Sequence, residues 1–159
     1  MTPPAVRRSI LFVCTGNTCR SPLAEGICRA MLAARLGVPV AELESRGYTV
    51  RSAGVAAYAG DAASPGAVEA AAGFGADLAG HRSRPVDPDL LADATHVVAM
   101  TAGHAAMLDY RFPGDGPPAS LLCDDGDLPD PFGGPPEIYR LCADAIAFHL
   151  DRRIREWLG

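Results

Sequence analysis

The chain has 159 residues, 48% of them apolar and 21% charged, with a formal net charge of -5. That length suits one domain with a proper core, and that composition excludes a disordered chain. The acidic balance argues against non-specific binding to nucleic acid or to an anionic membrane, and no apolar run reaches the length of a membrane-spanning helix.

Residues 1–8 read as a mobile lead-in containing proline, and residues 9–159 as a single domain. Arg7-Arg8 ahead of Ser9-Ile10-Leu11-Phe12-Val13-Cys14 has the outline of an export leader. The apolar run is too short for one, and bulky Val13 stands where a small residue is needed, so the protein is expected to be cytoplasmic. The run instead reads as a first strand at 9–13, buried on both faces. Five cysteines (Cys14, Cys19, Cys28, Cys123 and Cys142) make an odd count, which argues against a disulfide framework. Cys28 and Cys142 fall in helical patterns and read as core residues.

A first helix is predicted over 22–36, with Ser21 as its N-cap, Gly37 as its stop, and an apolar stripe of Leu23, Ile27, Ala30, Met31 and Ala34. A strand at 48–52 leads through a loop at 55–64 to a helix at 65–74. The polar segment His81-Arg82-Ser83-Arg84-Pro85 precedes a capped helical turn at 87–91. A third strand at 95–100, a helix at 102–110 capped by Thr101, and a short strand at 119–122 follow. An acidic Pro/Gly-rich loop at 124–136 then leads to a long helix at 137–158. Alternating strands and helices imply an α/β fold of three layers, α/β/α, with a four-stranded parallel sheet. The expected order is the flavodoxin-like 2-1-3-4, whose ligand site lies beyond the carboxyl ends of strands one and three.

Cys14 ends the first strand at that point. Thr15-Gly16-Asn17-Thr18-Cys19 makes a tight loop, and Arg20-Ser21 leads into a helix N-terminus, where converging amides and the helix dipole favour an anion. The thiolate is a nucleophile, and this setting is expected to lower the thiol by about 1–5 units from an ordinary value near 8.5. Arg20 suits a bidentate grip on phosphoryl oxygens. Ser21 can hydrogen-bond the thiolate and help it leave, while Gly16 and Asn17 tolerate the left-handed backbone that a tight cradle demands. No Gly-Lys-Ser/Thr follows, which excludes a nucleotide-binding P-loop. A phosphocysteine route also needs an acid for the leaving group and a base for water, and Asp127-Leu128-Pro129-Asp130-Pro131-Phe132-Gly133-Gly134 supplies candidates.

Val13-Cys14-Thr15-Gly16-Asn17-Thr18-Cys19-Arg20-Ser21-Pro22-Leu23-Ala24-Glu25, taken with Asp130-Pro131-Phe132-Gly133-Gly134, resembles the low-molecular-weight protein tyrosine phosphatase family. Arg51-Ser52-Ala53-Gly54-Val55 and Gly80-His81-Arg82 also match family segments, so the likeness runs over nearly the whole chain. The resemblance implies Cys14 as nucleophile, Arg20 as phosphate clamp and Asp130 as general acid and base. It makes residues 15–19 the phosphate loop, with Asn17, Ser21, Ser52 and His81 as the hydrogen-bond network behind it. Tyr58 falls where the family sets an aromatic at the pocket rim, and Phe132 at the opposite wall.

Thr18 sharpens the substrate. Tyrosine-directed members usually carry a bulkier aliphatic residue at that place, and the bacterial protein-arginine-phosphatase branch carries threonine within the same two signatures. A short branch and a hydroxyl leave room and polarity for a planar guanidinium and a positioned water, whereas isoleucine favours a flat apolar phenol. Breaking a P–N bond needs the leaving nitrogen protonated, which Asp130 can supply. Asp124, Asp125 and Asp127 form either a solvated acidic loop or a long-range attraction for cationic peptides. The family reading of Cys19 is a reversible disulfide with Cys14 that guards the nucleophile. The two cysteines have no further ligands at zinc spacing, so no metal or other cofactor is expected.

A thioredoxin-coupled arsenate reductase needs further redox cysteines after the second helix, and residues 75–100 contain none. A non-catalytic phosphate-binding module has no use for nucleophile, arginine and acid together. A phosphotyrosine phosphatase is the runner-up to a phosphoarginine phosphatase. The expected partners are phosphorylated proteins, with no nucleic acid and no membrane, and the protein is expected to act as a monomer.

Overall fold

The computed structural model describes residues 7–124 and 126–159. Four parallel strands, β1 (Arg8–Cys14), β2 (Tyr48–Gly54), β3 (His96–Ala99) and β4 (Ala119–Leu121), lie in the order β2-β1-β3-β4. This is the expected order. Among the described residues the α-helices are α1 (Arg20–Leu36), α2 (Pro65–Ala72), α3 (Pro88–Asp93), α4 (Ala102–Arg111) and α5 (Pro136–Leu158).

The continuous apolar run of β1 exists because both faces of the strand are covered. Ile10, Phe12 and Cys14 point into one core with Leu23, Ile27 and Leu32 of α1 and Ile146, Leu150 and Ile154 of α5. Leu11 and Val13 point into the other, with Val86, Leu91, Val97 and Leu108. Ile10 and Phe12 are fully buried, each contributing about 1.5–3 kcal/mol through the water it sheds. Cys28 and Cys142 lie in the first core, as their helical settings imply.

Several boundaries differ from expectation, each for a physical reason. Of the lead-in expected over 1–8, residues 1–6 lie outside the described residues. Arg8 pairs with Tyr48 in the sheet and Arg7 forms an ion pair with Asp93. Helix α1 begins at Arg20, with Cys19 at the cap position and no side-chain cap bond, so Ser21 is not the N-cap. Its buried face is Leu23, Ala24, Ile27, Cys28, Leu32 and Ala33, while Ala34 is exposed, because α5 and the sheet enclose the helix from two sides. Gly37 closes it in the left-handed conformation at φ 68, as expected. Helix α2 stops at Ala72, short of Phe74, and the unassigned residues before β2 form two short 3-10 turns, Val40–Glu42 and Glu44–Arg46. Thr101 and Asp87 cap α4 and α3 through their side chains. Among the described residues no helix is long and apolar enough to cross a membrane.

Candidate active site

Cys14 is the last residue of β1 and the chain enters α1 six residues later, so residues 15–19 must reverse over the end of the sheet. The left-handed step falls on Asn17, at φ 58, and not on Gly16. Asn17 is wholly buried, and its Nδ2 donates to Ser21 Oγ at 2.8 Å and to Ser52 Oγ at 2.9 Å. Its Oδ1 accepts from the Arg84 amide at 3.0 Å, and its carbonyl accepts from His81 Nε2 at 2.7 Å. Asn17, Ser21, Ser52 and His81 thus form one connected network. Because Ser21 Oγ accepts from Asn17, its own hydrogen is free for Cys14 Sγ, 2.9 Å away.

The loop is also clamped through its backbone. The Val55 and Ala56 amides donate to the carbonyls of Cys14 and Thr15, and the Ser64 amide donates to that of Thr18, each at 2.9 Å. Gly54, opposite Cys14 in the sheet, lies so close beneath that a Cβ there would sit 2.3 Å from the Thr15 carbonyl oxygen. A side chain at that place would push the loop off the sheet.

A cleft of about 220 Å3 opens above the loop, lined by Cys14, Thr15, Gly16, Thr18, Cys19, Arg20, Asp130 and Phe132. Arg20 is 6% exposed and donates from Nη1 to the Leu128 carbonyl at 2.9 Å, while its Nη2 stands 3.7 Å from Asp130 Oδ2. The guanidinium therefore joins the start of α1 to the acidic loop, with Asp130 half-exposed across the cleft and Phe132 on its open side. Tyr58 is exposed and does not line this cleft; its carbonyl accepts from Ser83 Oγ. Cys19 Sγ lies 3.1 Å from Ser64 Oγ and 3.6 Å from the Tyr139 hydroxyl, and both Cys14 and Cys19 are free thiols. A larger groove of about 530 Å3 between α2 and α5 is lined by Arg140 and the carboxylates of Glu69, Glu137 and Asp144 but by no cysteine.

The electrostatics depart from expectation at Cys14. Burial pushes its thiol up, outweighing the Ser21 hydroxyl, the amides of Ser21 and Asn17 and the charge of Arg20, all of which favour the thiolate. The expected fall thus becomes a rise. The acidic run also reads differently in three dimensions. Asp124 pairs with Arg152, Asp127 accepts from the Ala102 amide at 2.8 Å, and Asp125 lies outside the described residues.

Sequence reasoning did not single out Gly54, Ser64, His104 or Tyr139. Gly54 fell inside a quoted segment without a role; the close approach that requires glycine is made by a distant loop. His104 was read only as part of a capped helix. It is buried, and its Nε2 lies 2.8 Å from Thr15 Oγ1. Burial first, and then the charge of Arg20, push it down to about 4, against the pull of Asp127 and Asp130. Among the described residues no three of His, Cys, Asp or Glu are placed to hold a metal ion.

A free thiol, a buried guanidinium and a facing carboxylate thus line one cleft at the end of β1, and comparison with known proteins supplies the class of protein that carries it. The family model for low molecular weight phosphotyrosine protein phosphatases matches residues 9–158, and the chain belongs to that family. Over 148 residues it is 42% identical to a protein-arginine-phosphatase of Geobacillus stearothermophilus, covering 90% of this chain and 91% of that one. It is 30% identical over 155 residues to the low molecular weight protein-tyrosine-phosphatase Etp of Escherichia coli (strain K12), covering 94% and 91%. The YwlE arginine phosphatase, solved as a cysteine-to-serine mutant with a phosphorylated active-site serine, matches with a TM-score of 0.81 at 35% identity, over 93% of this chain and 94% of that one.

Proposed function

We propose that this protein is a cysteine-dependent protein phosphatase that hydrolyses phosphoarginine, with phosphotyrosine as the alternative substrate. The observation that carries the reading is the single cleft in which Cys14, Arg20 and Asp130 meet with Thr18 on the wall. Two of the similar proteins are arginine phosphatases by name, and one of them carries phosphate on the serine that replaces its cysteine.

In this reading Cys14 reacts as its thiolate, the thiol proton passing to solvent or to a phosphoryl oxygen as the substrate binds; Sγ attacks phosphorus and an S–P bond forms as the P–N bond breaks. Asp130, as the acid, gives its proton to the leaving guanidine nitrogen. The resulting carboxylate then takes a proton from water, whose oxygen displaces sulfur from phosphorus and releases inorganic phosphate. Arg20 and the loop amides hold the equatorial oxygens and gain as charge spreads over them in the transition state. Ser21 donates to the departing sulfur, and Asn17, Ser52 and His81 hold Ser21 and the loop in place. Thr18 leaves space and a polar contact for the guanidinium, and Phe132 forms the other wall. No role is assigned to Tyr58, which stands outside the cleft.

The exposed aromatic wall at Phe132 is the feature that favours the alternative, since it suits a phenol ring as well as a guanidinium. Cys14 and Cys19 line the same cleft as free thiols, and a reversible disulfide between them would shelter the nucleophile from further oxidation. The reading has the protein acting on phosphorylated proteins in the cytoplasm as a monomer, without metal or cofactor.

The test is a side-by-side measurement of kcat/KM on matched phosphoarginine and phosphotyrosine peptides near neutral pH. A clear preference for phosphoarginine is expected, and a preference for phosphotyrosine would overturn the substrate assignment. Cys14→Ser should show no turnover on either peptide; retained turnover would sink the mechanism.

A further inference from the structure

We propose that the first turn of α4 is a bracket that holds the acid and the nucleophile in register, with Asp127 and His104 as positioning residues. The inference rests on the reading of Asp130 as the acid. It goes beyond that reading because neither Asp127 nor His104 lines the cleft.

The first contact fixes the acid. Ala102 is the first residue of α4, so its amide has no partner within the helix. Asp127 Oδ1 takes that amide at 2.8 Å, where the helix dipole also favours a carboxylate. Thr101 Oγ1 accepts the His104 amide of the same turn at 3.1 Å. The residue after Asp127 is fixed three ways. The Leu128 amide donates to the Met100 carbonyl at 2.9 Å, its carbonyl accepts from Arg20 Nη1, and its side chain is buried. Asp130 lies two residues beyond this anchored pair, so its distance from Cys14 depends on how firmly Asp127 is held.

The second contact fixes the loop. From the same turn, His104 Nε2 meets the hydroxyl of Thr15, the residue next to Cys14. His104 Nδ1 is the one buried side-chain nitrogen or oxygen among the described residues without a hydrogen-bond partner. An imidazole with one unpaired nitrogen packs less favourably than an apolar side chain of similar size. What the histidine contributes at this place is therefore the bond to Thr15. Arg20, Asp127 and Asp130 are the charged groups that face the ring, and the depressed imidazole is neutral at working pH. One helical turn thus touches the residue beside the nucleophile and the residue three before the acid.

The two arms of the bracket predict different kinetic signatures. Protonation by Asp130 matters most where the leaving group is poor. Asp127→Ala should therefore lower kcat/KM about tenfold or more on a phosphoarginine peptide and on phenyl phosphate, and less than about threefold on 2,4-dinitrophenyl phosphate. Asp127→Asn, which keeps the acceptor oxygen, should stay close to the parent enzyme. His104→Leu should lower kcat/KM on every substrate by a similar factor, and His104→Gln, which retains a polar terminus, should recover part of the loss. Circular dichroism and thermal melting confirm that each variant is folded, and Asp130→Ala on the same series is the reference. If Asp130→Ala shows a strong leaving-group dependence and Asp127→Ala does not, the bracket is wrong and the acid stands. A flat response of Asp130→Ala would overturn the acid and the bracket with it. Unchanged kinetics in His104→Leu would remove the Thr15 arm.

Discussion

Replacing Asn17 by alanine tests whether the loop depends on one buried amide. The substitution removes two donated bonds, to Ser21 and Ser52, and one accepted bond, from the Arg84 amide. Each is worth about 0.5–1.5 kcal/mol net, and more where a buried partner is stranded, giving roughly 2–4 kcal/mol for the three. Alanine must also adopt the left-handed backbone at φ 58, which adds about 1 kcal/mol. The bond from His81 goes to the backbone carbonyl and survives. The sum for Asn17→Ala is about 3–5 kcal/mol, and Asn17→Gly, free of the backbone cost, should lose about 1 kcal/mol less. Urea unfolding of the two variants gives these differences directly. Activity should fall further than stability, because Ser21 loses the donor that orients its hydrogen towards Cys14. The reasoning fails if Asn17→Ala costs less than about 1 kcal/mol, or if glycine is as damaging as alanine.

Gly54→Ala should destabilise by about 1–3 kcal/mol and depress kcat/KM strongly, since its Cβ would lie 2.3 Å from the Thr15 carbonyl. Gly80→Ala, with open space around it, should be silent on both measures, and equal effects at the two positions would refute the close-approach argument. His104, lowered to about 4 from an ordinary 6.5, is protonated in the unfolded chain before the folded one as pH falls. Its contribution is therefore complete above about pH 6.5 and is lost on the way down to about pH 4, a change of about 3 kcal/mol. The stability advantage of the parent protein over His104→Asn should shrink accordingly between neutral pH and about pH 4.5, and a constant difference would contradict the assignment. Thr18→Ile should move the phosphoarginine to phosphotyrosine ratio towards phosphotyrosine by about tenfold, as expected when a polar contact is lost. A ratio unchanged by the substitution would show that Thr18 does not select the substrate.

The strand, the loop and the helix around Cys14 were legible in the chain because each is a local pattern. Five apolar residues in succession, a run of small polar residues and a set of helix formers are statements about neighbours, and they place Cys14 and Arg20 at the two ends of one loop. The alternation of strands and helices likewise carried the sheet order, since parallel crossovers leave few topologies. Asp130 was singled out by its resemblance to a known signature, and as chemistry only because the phosphocysteine route proposed for Cys14 would need an acid.

What only the tertiary structure decided lies where distant segments touch. Helix α1 starts at Arg20 because Ser64 and the end of β2 hold the preceding loop, so Ser21 turns inward to Cys14 instead of capping the helix. Gly54 is needed as glycine only because the loop lies over it, and Tyr58 leaves the cleft because its segment is tied to Ser83. His104 and Asp127 acquire roles from contacts to Thr15 and Ala102, 89 and 25 positions away in the chain. The upward push on the Cys14 thiol has the same origin. Periodicity and capping are properties of a short stretch, whereas desolvation depends on everything that packs around a group, and no stretch carries that information alone.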